Sequence, residues 1–411
     1  MRHAKSSLVA GVILVVAAAA FTVPHSAAST YDGLHRFKGP DGSMPQAGLA
    51  FDASGNLYGT TSNGGAHGMG TVFQLAPNPD GSWTECVLHS FNGLDGWYPF
   101  RGNLNFDGAG NLYGTTSLGG PHENDSGVVF KLTANADGSW TESVLHAFTG
   151  GGGDGAGPVG GLTFDGAGNL YGTAGGGVNA SGVVFKLTAN ALGSWTESIL
   201  YTFTGGHDGG GPEAALIFDG AGNLYGTATI GGPGFGGVVF RLTPQPDGSW
   251  TETVLHNFFS GAGGSVPRGG LVFDQTGNLY GTTAVGGTQG FGIVFKLVAN
   301  VDGTWSERVL HSFTGRVDGS EPYSGLVFDT AGNLYGATTA GGSANLGVVF
   351  KMTPNADGTW AYKGLHAFQG TPGGFPYDAP ALDRAGSLYG TTWECGARIP
   401  ACHGIVFKIT P

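Results

Sequence analysis

Helical periodicity is missing from this sequence. Beyond the first 30 residues no window repeats its apolar positions every 3.6 residues, so helix is nearly excluded. Charge is scarce, at 11% of residues, and the 17 Lys and Arg are outnumbered by 29 Asp and Glu, for a net charge of −12. Those basic residues are also scattered. Nucleic acid needs Lys and Arg clustered against phosphates, so that class of partner is not expected. Cysteine occurs only three times, with no CxxC spacing, which removes the usual structural zinc motifs. The 81 glycines follow no G-X-Y period, so collagen is excluded. Long hydrophobic runs are absent but for one, Leu8–Val23, and none follows it, so the mature body is expected to have no membrane span and to be soluble.

That one run has an address-like setting. Met1–Lys5 carries positive charge, Leu8–Val23 is apolar or small, and Ser26-Ala27-Ala28 offers a small-residue cleavage site. This is the layout of a secretory signal peptide over residues 1–28, leaving residues 29–411 as one domain outside the cytoplasm, extracellular or periplasmic. An uncleaved anchor is the alternative, although the run is shorter than the ~20 residues that span a bilayer. Export agrees with a disulfide between Cys395 and Cys402, which share the loop WECGARIPACHG. A metal there would need more ligands than nearby Glu394 and His403. Cys86 stands where sister copies have Ser143 and Ser198, and reads as a small strand residue left unpaired.

What is abundant is repetition. Leu-Tyr-Gly recurs after Asn56, Asn111, Asn169, Asn223, Asn278 and Asn333, and after Ser387, marking seven units of about 55 residues. Each unit holds four apolar runs rich in Val, Phe, Tyr and Thr, resembling GLVFD, NLYGTT, GVVFKLT and WTESVLHSF. Gly, Asp and Asn bound them, which predicts four antiparallel strands per unit. Asp-x-x-Gly-Asn and Asn-x-Asp-Gly form two tight turns on one face, and two long irregular loops share the other.

Such a chain forms an open solenoid or a closed propeller. Its ends favour closure. Tyr31–Phe37 matches the fourth run and Gly404–Thr410 the third, so the first strand should complete the last unit. The expected fold is an all-β, seven-bladed propeller locked by its N-terminal strand. GLVF should lie innermost, and the Thr- and Glu-bearing fourth run outermost, where charge protects an edge. Across the outer hairpin, Lys131, Lys186, Arg241 and Lys296 are expected near Glu142, Glu197, Glu252 and Glu307, with Lys351 facing Tyr362 and Gln74 facing Glu85. Tyr31 should likewise lie near Lys408. These would be exposed pairs contributing about 0.2–1 kcal/mol each.

The combined pattern GL-x-FD-x-x-GNLYGTT, then G-x-VFKLT, then GSWTE-x-VLHSF, resembles the choice-of-anchor tandem-repeat GloVer (Gloeo–Verruco) proteins along nearly the whole chain after residue 30. The first two runs also look, more loosely, like NHL-type propellers. The resemblance implies an exported bacterial repeat protein with no established activity. Members often bear variable C-terminal anchors, a feature without a counterpart here, and no catalytic residue is implied.

Several residue sets invite a functional reading. His35, His89, His146, His256, His311 and His366 share one position, with Tyr201 in the remaining copy. Equivalent positions on separate blades lie too far apart for one ion, so packing and hydrogen bonding explain them better. Asp52, Asp107, Asp165, Asp219, Asp274, Asp329 and Asp383 read as turn caps. Asp41, Asp95, Asp154, Asp208 and Asp318 precede Gly in the long loops, forming turns or, alternatively, binding calcium.

Variation among copies is more telling. After the loop proline the units carry Gln46, Phe100-Arg101, Val159, Glu213, Arg268, Tyr323 and Tyr377-Asp378, which should ring the mouth of a central channel. Arg101, Glu213, Arg268, Tyr323 and Tyr377 are the ligand-binding candidates, with Trp97, Tyr98, His122, Glu123, His207, Trp393, Glu394 and His403 on nearby loops. Drift at exposed positions is the alternative explanation. The expected function is a non-catalytic exported binding protein, monomeric, with no cofactor or metal, presenting its long-loop face to a glycan or protein. The alternatives are a polysaccharide lyase or hydrolase at the channel mouth, with Glu213, Arg268, Tyr323 or His403 as acid–base groups, and a structural or adhesive surface protein.

Overall fold

A computed structural model describes residues 28–122, 125–151, 153–191, 193–370, 372–394 and 403–411. The apolar run Leu8–Val23 and both Cys395 and Cys402, and with them the expected signal peptide and disulfide, lie outside these residues. Seven four-stranded antiparallel sheets form a seven-bladed β-propeller, and no helix occurs among the described residues. Accordingly, none there is long and apolar enough to cross a membrane. The fourth blade illustrates the unit, running Ile217–Phe218, Leu224–Ala228, Val238–Pro244 and Trp250–Asn257 from the axis outward. In the third blade Gly155–Ala156 also pairs with the far end of the second strand.

The repeated residues have identifiable jobs. Asp219 accepts hydrogen bonds from the backbone N–H of Ala221 and Asn223, from Asn223 Nδ2 and from the Tyr225 hydroxyl. Gly222 closes that turn at φ 85°, a conformation natural to glycine. Gly226 is needed because a Cβ would come within 2.6 Å of the Phe240 ring. Thr173 of Leu-Tyr-Gly-Thr donates to the carbonyl of Ala214 in the next blade at 3.1 Å. The core lies between blades rather than within them. Tyr58, Val72 and Phe91 of the first blade pack on Leu112, Phe130 and Leu132 of the second, and equivalent clusters recur around the ring.

Closure uses the N-terminal strand. Thr30–Arg36 pairs antiparallel with Ile405–Thr410, from Thr30 opposite Thr410 to Arg36 opposite Ile405. Phe37 then packs with Val406 and Tyr389 of the last blade against Phe73 and Leu75 of the first.

The outer hairpin departs from expectation. Pro244 opposes Trp250 across a five-residue loop, so Glu252 faces Leu242 and Arg241 faces Thr253. The same register places Lys131 opposite Ser143 and Lys186 opposite Ser198, while Lys296 meets Arg308, Lys351 meets Lys363 and Gln74 meets Cys86. Asp32, not Tyr31, opposes Lys408. The Lys–Glu pairs therefore do not form. Lys131, Lys186, Lys296, Lys351 and Lys408 instead lie 5.0–5.6 Å from second-strand tyrosine ring centres. The glutamates turn to the other side, toward the preceding blade. A bulge then separates Glu252 from His256, since Val239 opposes His256 and Phe240 opposes Val254. Four residues apart, the two would otherwise share a face; the bulge aims His256 at the following blade.

Candidate functional site

Residues entering the innermost strands from the long loops line one cavity of about 180 Å³ on the axis. Arg101, Glu213, Arg268, Tyr323 and Tyr377 all border it, drawn from five different blades, together with Asn103 and Asp378. Gln46, Val159 and Phe100 do not. Gln46 is buried and donates to Ser62 Oγ at 3.3 Å.

Charge organises the cavity. Arg101 Nη1 donates to Glu213 Oε2 at 3.3 Å, and Arg268 Nη1 donates to the same oxygen at 2.9 Å. The Arg101 guanidinium lies 5.4 Å from the Tyr323 ring centre and 5.7 Å from that of Tyr377, and Arg268 lies 5.2 Å from Tyr323. Cation–π attraction thus holds both guanidiniums against aromatic faces. Only 9% of the Arg101 side-chain surface is exposed against 35% for Arg268, so Arg268 presents the accessible cationic surface. Asp378 sits deep among protein atoms, although part of its surface meets the cavity. Burial pushes its carboxyl up, opposed by the N–H groups of Ala379 and Gly48 and by Arg101. Burial likewise raises the phenols of Tyr323 and Tyr377 above their ordinary value, and the charge of Glu321 adds to both shifts.

Among the loop candidates Trp393 joins this group, its ring centre 5.9 Å from that of Tyr377, and Tyr98 stacks on Phe100 beside Arg101, ring centres 5.3 Å apart. His403 lies by Gly39, where the last blade meets the first. Trp97 bridges to Leu118, His122 and His207 are exposed, and Glu123 falls outside the described residues. Asn103, which is absent from the sequence-based candidates, accepts from the Gly48 N–H at 2.7 Å. Its one clue was being the sole Asn among Gly and Ala at that position. Two larger grooves of about 580 and 530 Å³ open between blades at the tight-turn end, bordered by the repeated Asp, Tyr, Lys and Trp residues.

The histidines and loop aspartates meet one another at the rim. His35, His89, His146 and His311 hydrogen-bond Asp41, Asp95, Asp154 and Asp318 at 3.1–3.3 Å. Tyr201 makes the equivalent bond to Asp208. Those aspartates also cap their turns, as Asp41 does by accepting the Lys38 N–H. Against each such pair comes a residue of the next blade. It is Glu85, Glu142, Glu197 or Glu252 at four blade junctions, and Glu307 beside His256 where the aspartate is missing. Burial pushes these five carboxyls up to about 7. At the other two junctions a tyrosine replaces Glu and stacks on the imidazole, Tyr362 on His311 and Tyr31 on His366.

No curated protein matches the sequence. A putative oxidoreductase (glucose dehydrogenase) from Thermus thermophilus shares 16% identity over 93% of this chain and all 100% of its own, with a TM-score of 0.45. A luciferin-regenerating enzyme shares 12% over 93% of this chain and 95% of its own, with a TM-score of 0.45. A Dyadobacter fermentans protein of unknown function shares 13% over 82% and 98%, with a TM-score of 0.40. Likenesses so distant say nothing of activity. The Gloeobacter/Verrucomicrobia repeat model, in contrast, matches residues 16–232 and 215–411, and the chain belongs to that family.

Proposed function

We propose that the protein is an exported, non-catalytic binding propeller that holds a carboxylate-bearing sugar at the channel mouth. One observation carries this reading: five side chains that differ from copy to copy converge on one cavity, where two guanidiniums share the single carboxylate of Glu213. Arg268 keeps 35% of its side-chain surface exposed and so offers an accessible guanidinium at the cavity. A guanidinium fork suits a carboxylate. Tyr323 and Tyr377, their ring centres 5.9 Å apart, offer faces for the apolar side of a sugar ring. The cavity is smaller than the ~300–1,000 Å³ of a typical drug-sized site, so a terminal ring enters rather than a length of chain. Glu213 is engaged by both arginines, and burial raises both phenols, which leaves none of them poised as a base.

The test is a glycan array comparing uronate-bearing with neutral glycans, followed by titration of the best ligand. Acidic glycans should bind. Arg268→Ala and Tyr323→Ala should each weaken binding about 5- to 150-fold, the equivalent of ~1–3 kcal/mol for each buried interaction removed, with melting unchanged. Preference for neutral glycans, or affinity unmoved by both substitutions, would refute the reading. Ligand turnover abolished by Glu213→Gln would replace it with the enzyme.

A further inference from the structure

We propose that two blade junctions, His35–Asp41–Glu85 and His146–Asp154–Glu197, each bind a divalent transition-metal cation of the zinc class. Among the described residues these two sets alone bring three such ligand atoms within 4.8 Å of one another. Bonds of ~2.0–2.2 Å to zinc place tetrahedral ligand atoms roughly 3.3–3.6 Å apart. His146 Nε2 lies 3.3 Å from Asp154 Oδ1 and 3.5 Å from Glu197 Oε1, and His35 Nε2 lies 3.1 Å from Asp41 Oδ2. The His146 distances suit one ion with a fourth position for water, and the shorter His35–Asp41 contact would open slightly to take one. An imidazole among the ligands favours zinc over calcium or magnesium, which prefer all-oxygen sets.

A second observation points the same way. Glu85 Oε1 and Glu197 Oε1 are buried and accept no hydrogen bond, as is also true of Glu142, Glu252 and Glu307. Each of the five glutamate junctions thus holds a carboxylate oxygen without a donor, and the three-ligand spacing singles out these two. Four of the other five junctions use the same space differently, while His89, Asp95 and Glu142 keep the three residue types without bringing three ligand atoms within 4.8 Å. Tyr362 and Tyr31 fill it with a ring, their hydroxyls donating to the carbonyls of Asp318 and Pro372. At the fourth-to-fifth junction the aspartate is absent, and a Cβ on Gly263 would sit 3.0 Å from Glu307. Tyr201 removes the nitrogen from the third-to-fourth junction. The His35 set has a structural consequence, because it ties the N-terminal strand to the first blade across the ring closure.

The experiment uses the exported protein without a histidine tag, stripped by chelator and dialysed against Zn²⁺, with Ca²⁺ and Mg²⁺ in parallel. Elemental analysis should find two Zn²⁺ per chain and neither of the other cations. Glu85→Gln should remove one equivalent and the Glu85→Gln/Glu197→Gln pair both, whereas Glu142→Gln should remove none. Zinc should raise the melting temperature of the wild type and not of the double variant. Glu85→Tyr and Glu197→Tyr, which borrow the chain's own alternative, should keep the fold and lose the metal. Less than one Zn²⁺ per chain, stoichiometry unmoved by the Gln and Tyr variants, or retention of calcium instead would overturn the proposal.

Discussion

Phe37→Ala tests whether the ring depends on its first strand. Phe37 is fully buried, its ring centre 5.0 Å from that of Phe73 at 66°, and its N–H donates to Gly404. Phe203 is its counterpart inside a continuous blade, 5.1 Å from Phe240 at 67°, with its N–H donating to Gly182. The environments match, so the costs should match, at about 3–5 kcal/mol for each Phe→Ala change. An unfolding entropy of ~2.1 cal/mol/K per residue over ~380 residues converts this to a drop of roughly 4–6 °C in melting temperature. Removing residues 29–38 should do far more. It strips the ladder to Ile405–Thr410 and the burial of Tyr31, Leu34 and Phe37, each contributing ~1.5–3 kcal/mol. That approaches the ~5–15 kcal/mol stability of a whole domain and opens a hydrophobic edge to aggregation. Calorimetry on the two point variants and the truncation decides. If Phe37→Ala melts like wild type while Phe203→Ala does not, the first strand is an appendage and the ring does not depend on it.

The tight turns give a second prediction. Asp219→Ala removes an acceptor used by four donors and should cost about 2–3 kcal/mol, read as a shift in urea midpoint. Burial raises the carboxyls of Asp52, Asp107, Asp165, Asp219, Asp274 and Asp329, but their hydrogen bonds outweigh it and hold them below the ordinary value. Their contribution is thus whole above pH ~4 and is lost as pH falls through the folded values. Stability should drop steeply below pH ~4, and less steeply in Asp219→Asn; equal slopes would refute the assignment. Finally, thiol labelling of unreduced, denatured protein should find one free thiol, at the exposed Cys86. Three free thiols would exclude a bond between Cys395 and Cys402.

Much of the fold was legible because its determinants are local. Strand order, the Asp-x-x-Gly-Asn turns and the displaced fourth run are all set within stretches of about ten residues, and the structure places them as the sequence predicts, although the innermost strand shrinks to two residues. The outer hairpin was not legible. Its facing depends on a five-residue loop and a bulge, and a one-residue error there sends every glutamate to the wrong side. The junction pairs were hidden for a different reason. His146 and Glu197 belong to different blades, and only the packing of one sheet on the next brings them to 3.5 Å. The cavity residues could be found because they vary where everything around them repeats. Their partners could not, since Arg101 reaches Glu213 across the channel from two blades away.

Closure itself explains how a repeated sequence makes one asymmetric site. The position after each variable residue is held small, as Ala47, Gly102, Gly160, Ala214, Gly269 and Ser324, because the innermost strands crowd together. A Cβ on Gly269 would come within 2.3 Å of the Ser324 carbonyl, and one on Gly160 within 2.8 Å of Ala214. In five copies the residue just before borders the cavity and meets no such limit, so Arg, Glu and Tyr are all admitted. Asp378 is the exception in the small ring, and it falls where the last blade meets the first. There its carboxylate takes the N–H groups of Gly48 and Ala379, replacing with hydrogen bonds what the other junctions obtain from close backbone packing. The junction that closes the ring therefore also supplies the acidic group behind Arg101.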